Sequence, residues 1–385
     1  MTRTIIVVGG GPAGLSFVRS MAGSPHRLVL IEPQSREKLA APPADGREIA
    51  LTMRSETILR QLGVWRHFPE GEVHPLRSAR VRNGSSPFAM AIGPEKGDAL
   101  GHLVSNHRIR QALFETMVDQ ANVDLHCGRK VVRASTDPRG VRVCLDDGSE
   151  QVGDLLVAAD SRFSAMREQL EIDASITRFG HTMLVCRISH SLPHQGISTE
   201  WFDHARTVAL LPLAEGMSGL VVTVPDAEAK RICALGDAAL ESLFAGYLGG
   251  QWGEIALVTR PQAYPLAMTF AENFATTRSA LIGDTAVGMH PVTAHGFNFG
   301  LLSAWRLAEL VRDAADPGAG DLLRRYAIRH RIATMPLYEA TRHLVGLYTD
   351  DRLFARPIRA GMLRLGALRP VSRIMGRLLS EARSA

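Results

Sequence analysis

Apolar and polar positions follow two periods along this chain of 385 residues. Thr4-Ile5-Ile6-Val7-Val8 is a continuous apolar run, as a strand buried on both faces requires. Gly9-Gly10-Gly11-Pro12-Ala13-Gly14 follows at once, and then Leu15, Val18 and Ala22 recur at helical spacing. A second apolar run, Leu28-Val29-Leu30-Ile31, ends in Glu32, and a third, Leu155 to Ala159, ends in Asp160 before a turn and a cationic helix start. Far downstream, Leu281-Ile282 leads into Gly283-Asp284, a Pro-containing loop from His290, and a glycine turn at Gly296 that opens an amphipathic helix.

The texture changes between 170 and 275. Met183 to Ile188, Val208 to Leu213 and Gly219 to Val224 predict antiparallel strands between turn residues, and Ala238 to Tyr247 predicts a helix packed on that sheet. At the end of the chain Val371, Ile374, Met375, Leu378 and Leu379 stand at helical spacing with Arg373 and Arg377 between them, an amphipathic basic helix. The predicted architecture is α/β with an α+β insertion. Residues 1–75, 100–170 and 276–340 form a Rossmann-like nucleotide-binding domain, 76–99 and 171–275 an inserted antiparallel β-sheet domain over the substrate, and 341–385 a basic helical tail.

Composition narrows the class. Hydrophobic content of 45% and charge of 22% suit a globular enzyme. Cys127, Cys144, Cys186 and Cys233 are scattered, so neither a disulfide framework nor a zinc site is expected. No signal peptide precedes the first strand and no apolar run is long enough to span a membrane, so a cytoplasmic protein is expected. Net charge is +5, yet Arg352 to Ala385 alone holds eight arginines against one glutamate. The basic excess belongs to the tail and does not indicate a nucleic-acid-binding domain.

The N-terminal pattern carries chemistry because each residue has a physical task. In G-x-G-x-x-G, Gly9 permits a tight turn, Gly11 lets backbone approach a pyrophosphate, and Gly14 lets helix and strand pack closely. Pro12 and Ala13 begin the helix whose dipole faces the phosphates. Glu32 accepts from ribose hydroxyls, which disfavours NADP and leaves FAD or NAD. Asp160 either binds a ribose or ribityl hydroxyl or orders a nearby loop. Backbone N–H groups after Gly296 point at whatever lies before that helix. His290 and His295 are proton-transfer candidates; alternatively they order their loop through backbone hydrogen bonds. Their spacing does not suggest a metal site. Met53, Phe88, Met90 and Phe202 either line an apolar cavity or pack in the core.

Three motifs in this order resemble the single-component FAD-dependent aromatic hydroxylases, the class of p-hydroxybenzoate hydroxylase. They are the glycine motif, Ala159-Asp160-Ser161-Arg162-Phe163-Ser164, and Gly283-Asp284. Asp45-Gly46-Arg47-Glu48-Ile49-Ala50-Leu51, Leu62-Gly63-Val64-Trp65, Val104-Ser105-Asn106, Ala209 to Leu213 and the arginine-rich tail bring the likeness nearest to the ubiquinone-biosynthesis hydroxylases. The form Pro291-Val292-Thr293-Ala294-His295-Gly296-Phe297-Asn298 is similar to a branch assigned to 5-demethoxyubiquinol hydroxylation. The chain departs from the family where Ser161 replaces a usual glycine, Val287 a frequent histidine, and Ala294-His295 a frequent Gly-Gln.

The resemblance implies bound FAD with NAD(P)H as co-substrate. Gly9, Gly11, Gly14 and Glu32 would hold the ADP half. Arg47 would lie near the pyrophosphate or ribityl chain, Asn106 in a flavin-contacting slot, and Asp284 on a ribityl or ribose hydroxyl. Pro291 would lie near the reactive edge of the flavin, with the amides of Gly296, Phe297 and Asn298 at its pyrimidine end. Such preorganised donors are worth ~3 kcal/mol each in other enzymes. The implied cycle is reduction by NAD(P)H, addition of O2 as a C4a-hydroperoxide, and oxygen transfer to a prenylated phenol or quinol. Residues 356–380 would either touch the inner face of a membrane or pack as a helix on the flavin domain or another subunit, and a homodimer or a biosynthetic complex is a further expectation. Two other functions compete: hydroxylation of a soluble aromatic acid or phenol, and a flavoprotein reductase that never oxygenates. A flavin halogenase is disfavoured, since W-x-W-x-I-P occurs at none of Trp65, Trp201, Trp252 and Trp305.

Overall fold

The computed structural model describes residues 2–84, 89–94, 99–203 and 206–348. The three apolar runs lie side by side in one six-stranded sheet. Its order is Ala275–Thr276, Ser279–Leu281, Leu155–Ala158, Thr4–Val8, Arg27–Glu32 and Val123–Cys127. Only the first pair is antiparallel; the remaining pairs are parallel. The runs had to be continuous because the sheet is covered on both faces: Ile5, Ile6, Val7, Leu28, Val29 and Leu30 are fully buried. Parallel pairing has a functional consequence. It carries Gly9, Glu32, Asp160 and Gly283-Asp284, each just past or at the end of its strand, to one edge of the sheet. Ligands of open α/β sheets bind at that carboxyl edge.

The second sheet has nine strands. Val287–Gly288, Gln262–Ala271, Ala174–His190, Met217–Pro225, Arg206–Pro212, Ile197–Asp203, Ser78–Asn83 and Ala89–Ile92 follow in that order, and Ile255–Leu257 pairs separately with Ala174–His190. The sequence predicts an antiparallel sheet, and one pair departs from this. Ile197–Asp203 runs parallel to Ser78–Asn83, because these strands come from separate stretches of chain and no hairpin joins them. The helix Asp237–Leu248 buries Leu240, Phe244 and Leu248 against this sheet. A small antiparallel sheet of Glu48–Thr52, Gly101–Ser105 and Val73–Leu76 lies between the two larger ones in the chain path. Arg187 of the nine-stranded sheet is tied to it, since its guanidinium donates to Glu48 at 2.8 Å and to Ser105 Oγ at 2.7 Å.

Helix Pro12–Ser20 packs on the six-stranded sheet and against Gly296–Val311, and Gly320–Tyr348 packs against Gly296–Val311 and the edge strands Ala275–Thr276 and Ser279–Leu281. The boundary expected at 340 falls inside this last helix, which runs through it without a break. Tail residues 356–380 and Phe88 lie outside the described residues.

The long helix supports the strand that leads into Gly283-Asp284. Tyr326 donates to the Leu281 carbonyl at 2.6 Å, and the His330 ring stacks parallel to Tyr326 with centroids 5.8 Å apart. Among the described residues His330 Nδ1 has no hydrogen-bond partner. Burial, helped by Arg306, pushes this imidazole down to about 3. Its folded-state value lies below the unfolded one of 6.5, so on acidification the unfolded chain takes the proton first. This stabilising contribution is therefore full above about pH 6.5 and is lost as pH falls toward 3. His330→Phe keeps the ring packing and should flatten the fall in melting temperature between about pH 7 and about pH 4; a slope equal to wild type would contradict this.

Candidate functional site

The carboxyl edge of the six-stranded sheet opens onto a cavity of about 1610 Å³. Single-ligand pockets are typically about 300–1,000 Å³, so this one has room for a large cofactor and a second molecule. One end is formed by Gly9, Gly11, Pro12, Ala13 and Glu32, and the other is walled by the nine-stranded sheet.

At the first end the glycine motif has the geometry its spacing predicts. Gly9 is left-handed at φ +112, and a Cβ on Gly14 would lie 1.9 Å from the Gly9 carbonyl oxygen. Gly11 differs: a Cβ there would meet nothing within 4 Å, because it borders the cavity. The first in-helix bond runs from Leu15 N–H to Gly11 C=O at 2.9 Å, so the Gly11, Ala13 and Gly14 amides precede the helical ladder and are available to a ligand. Glu32 accepts from Gly10 N–H at 2.6 Å and Gln34 N–H at 2.9 Å, one on each oxygen. It thus fixes the turn, and each oxygen keeps a lone pair for a ribose hydroxyl.

At the far end, the helix Gly296–Val311 makes its first internal bond from Phe299 N–H to His295 C=O at 2.9 Å. The amides of Gly296, Phe297 and Asn298 precede it and border the cavity. Ala294, standing where the family often has glycine, adopts φ 54 and ψ 22, a left-handed conformation that costs a non-glycine residue roughly 1–2 kcal/mol. The Asn298 side chain holds it there. Its Nδ2 donates to the Ala294 and Ala50 carbonyls, both at 2.9 Å, and its Oδ1 accepts from Thr52 N–H at 3.1 Å. The sequence pointed only to the Asn298 amide; the side chain is a structural clamp that no local pattern announces.

The remaining expected site residues also border the cavity, with varied roles. Arg162 donates twice to Asp284 Oδ2, at 3.1 and 2.7 Å, which leaves Oδ1 as an acceptor for a hydroxyl. Asp160 accepts from Ser164 Oγ at 2.6 Å, Met166 N–H at 3.2 Å and Thr285 Oγ1 at 3.2 Å. This geometry supports the loop-ordering alternative for Asp160 over a direct cofactor contact. Arg47 and Asn106 both border the cavity and both bind Asp45 Oδ2, at 2.6 and 2.7 Å. Asp45 was passed over, although its position two residues before Arg47 was visible.

Pro291 opens the turn Pro291–Thr293 on the cavity surface. His290 Nδ1 accepts from Val292 N–H at 3.2 Å, and its ring meets Phe179 edge-on at 5.1 Å. Burial, with His181 and Arg162 adding to it, pushes His290 down to about 4. A ring so weakly basic is a poor proton acceptor near neutrality, and the structure favours its loop-ordering role. His295 Nδ1 bonds the Thr293 carbonyl oxygen, again within the loop. Met53, one of the apolar candidates, is 42% exposed and does not border the cavity, whereas Met90 and Phe202 do. One carboxyl group escaped the sequence reading altogether. Glu200, on the nine-stranded sheet, faces the cavity, and burial pushes it up to about 8.

Comparison with known proteins agrees with this geometry. The family model described as FAD binding domain matches residues 2–338. The chain belongs to that family and is an FAD-dependent monooxygenase. It is 42% identical over 372 residues to ubiquinone hydroxylase UbiM of Neisseria meningitidis, covering 94% of this chain and 81% of that protein. It is 31% identical over 356 residues to ubiquinone hydroxylase UbiL of Rhodospirillum rubrum, covering 90% and 82%. The fold is shared with p-nitrophenol 4-monooxygenase PnpA from Pseudomonas putida DLL-E4, at a TM-score of 0.79, 18% identity and full coverage of both chains.

The two halves of the glycine motif make opposite predictions. Gly11→Val adds bulk only where the pyrophosphate would sit, so the protein should fold with a near-wild-type melting temperature and purify without FAD. Gly14→Ala strikes backbone and should lower the melting temperature itself. A yellow, flavin-loaded Gly11→Val protein would contradict the assignment.

Proposed function

We propose that this enzyme hydroxylates the aromatic ring of a prenylated phenol or quinol in ubiquinone biosynthesis, using NAD(P)H and O2. The observation that carries the reading is the joining of two environments in one cavity. Backbone amides from two helix N-termini serve an anionic, hydrogen-bonding cofactor at one side. The sheet wall beyond is mostly apolar, with Ala79, Val81, Met90, Ile92, Leu211 and Val221 bordering it. A prenyl chain fits such a wall far better than a carboxylate does. The similarity to the two ubiquinone hydroxylases supports the same substrate class.

FAD, when bound, supplies electron storage and oxygen activation; the protein supplies the rest. Gly9 to Gly14 and Glu32 would hold the adenylate half. Asp284, oriented by Arg162, would offer one oxygen to a sugar hydroxyl. The Gly296–Asn298 amides would supply fixed positive partial charge to the reduced flavin without reorganising. Apolar sheet residues exclude water from the reacting ring.

The test is to supply a short-chain prenylphenol and a polar benzoate separately, following NAD(P)H oxidation and product mass. The expected result is a product one oxygen heavier from the prenylphenol. Turnover confined to the benzoate would replace this reading with hydroxylation of a soluble aromatic, and NAD(P)H oxidation that oxygenates neither would indicate a reductase.

For the membrane we propose peripheral contact through residues 356–380, whose arginines would meet anionic head groups. No helix among the described residues is long and apolar enough to cross a membrane. On the long helix Ile328, Ile332 and Met335 are 53%, 70% and 37% exposed at helical spacing, a second apolar stripe bearing on the same reading. Deleting residues from 356 onward should reduce co-sedimentation with anionic vesicles; unchanged binding would mean that the tail packs on the protein.

A further inference from the structure

Glu200 lies in the strand Ile197–Asp203, between Arg206–Pro212 and Ser78–Asn83. Strand alternation sends Ser198, Glu200 and Phe202 to the cavity face, while Thr199 and Trp201 are buried on the other. Its cross-strand partners are Ala209 on one side and Val81 on the other, and Val221 continues the row beyond Ala209. All three border the cavity. The carboxyl group is therefore flanked across the sheet by apolar residues, with Ser198, Arg206, Thr207 and Thr223 the polar residues of the same stretch of wall.

No charged group among the described residues pairs with this carboxyl. Among the described residues the Glu200 side chain makes no hydrogen bond and no ion pair; the residue is half-buried, and desolvation by the surrounding protein raises its carboxyl to about 8. Arg206, on the adjacent strand, is bound to Asp203 at 2.7 Å and lies over the Tyr247 ring at 4.3 Å. Among the other titratable groups bordering the cavity, His181 and Tyr264 belong to strands farther across the sheet, and His290 to the loop. At the cofactor side, Arg162 is held by Asp284 and Arg47 by Asp45. An unpaired acid in an apolar wall costs stability, and a polar atom of the bound substrate is what could satisfy it.

Resting on the hydroxylase reading above, we propose that Glu200 is the proton acceptor for the ring hydroxyl of the substrate. The substrate O–H bond breaks, a new O–H bond forms on the Glu200 carboxylate, and the electron pair stays on the ring oxygen as phenolate. That pair raises electron density at the ortho and para carbons, where one oxygen atom of O2 is inserted. The other leaves as water, reduced by the two electrons of NAD(P)H with protons from solvent. Rearomatisation then moves the proton of the hydroxylated ring carbon to the ring oxygen, and Glu200 releases its own proton to solvent as product leaves. An acceptor that titrates near neutrality is suited to this task, because it is partly ionised at working pH yet still basic.

The test uses purified FAD-loaded enzyme, a short-chain prenylphenol, and the same compound with its ring hydroxyl methylated. In wild type, kcat/KM for the phenol should fall about tenfold per pH unit below about 8, whereas the slower reaction of the ether should not. Glu200→Gln, still loaded with FAD and melting no lower than wild type, should slow the phenol reaction by ~10²–10⁴-fold, a loss the ether reaction should not share. Glu200→Asp should recover part of the loss. Equal losses on phenol and ether, or no loss on either, would overturn the role of Glu200 while leaving the hydroxylase reading standing. If the variant does not fold, matching wild-type pH profiles for phenol and ether would overturn it alone. A wild type that hydroxylates no prenylphenol would overturn the hydroxylase reading and this assignment together.

Discussion

Two helix N-termini from opposite ends of the chain can face one ligand only if their supporting strands lie close together, and backbone contact makes this so. The Gly283 turn rests against the start of the N-terminal helix so tightly that a Cβ there would sit 2.7 Å from the Ala13 side chain. Ser303 of the helix Gly296–Val311 then accepts from Gly283 N–H at 2.9 Å. Strand, turn and both helices are thereby locked into one unit, and the cavity is the space this unit leaves at the carboxyl edge of the sheet. The rest of the site is secondary to that closeness. Asp284 is aimed by Arg162, Ala294 is held in its strained conformation by Asn298, and Glu32 fixes the turn at Gly10.

The cofactor framework was legible in the sequence because it depends on local rules. A buried parallel strand needs an unbroken apolar run, a pyrophosphate needs glycine beneath it, and a ribose needs an acid at the end of the next strand. Each constraint falls on a few adjacent residues, so Gly9, Gly11, Gly14 and Glu32 could be named as candidates before any fold was known, whereas Asp284 was named only through the family resemblance. The inserted sheet was legible as strands but not as a topology. The parallel pairing of Ile197–Asp203 with Ser78–Asn83 joins segments that no turn connects, and nothing local records it.

Glu200 shows the same limit at the level of a single side chain. Alternation along Ser198 to Phe202 states that two faces exist, but not which one meets the cavity. Asp160 and His290 show the converse. Both sit in motif positions and were open to a functional or a loop-ordering reading, and only their hydrogen-bond partners distinguish the two. Asp160 receives three protein donors and His290 is buried and weakly basic, so both are understood as keeping the cavity in shape.

One cavity thus combines two helix N-termini with a mostly apolar sheet wall that bears Glu200. The central claim is that this cavity holds a single FAD spanning both helix N-termini. The most direct measurement is the absorption spectrum of the purified chain with its flavin content after saturation with FAD and removal of excess. The account predicts a yellow protein with one FAD per chain; a colourless, well-folded protein that takes up no FAD would contradict it.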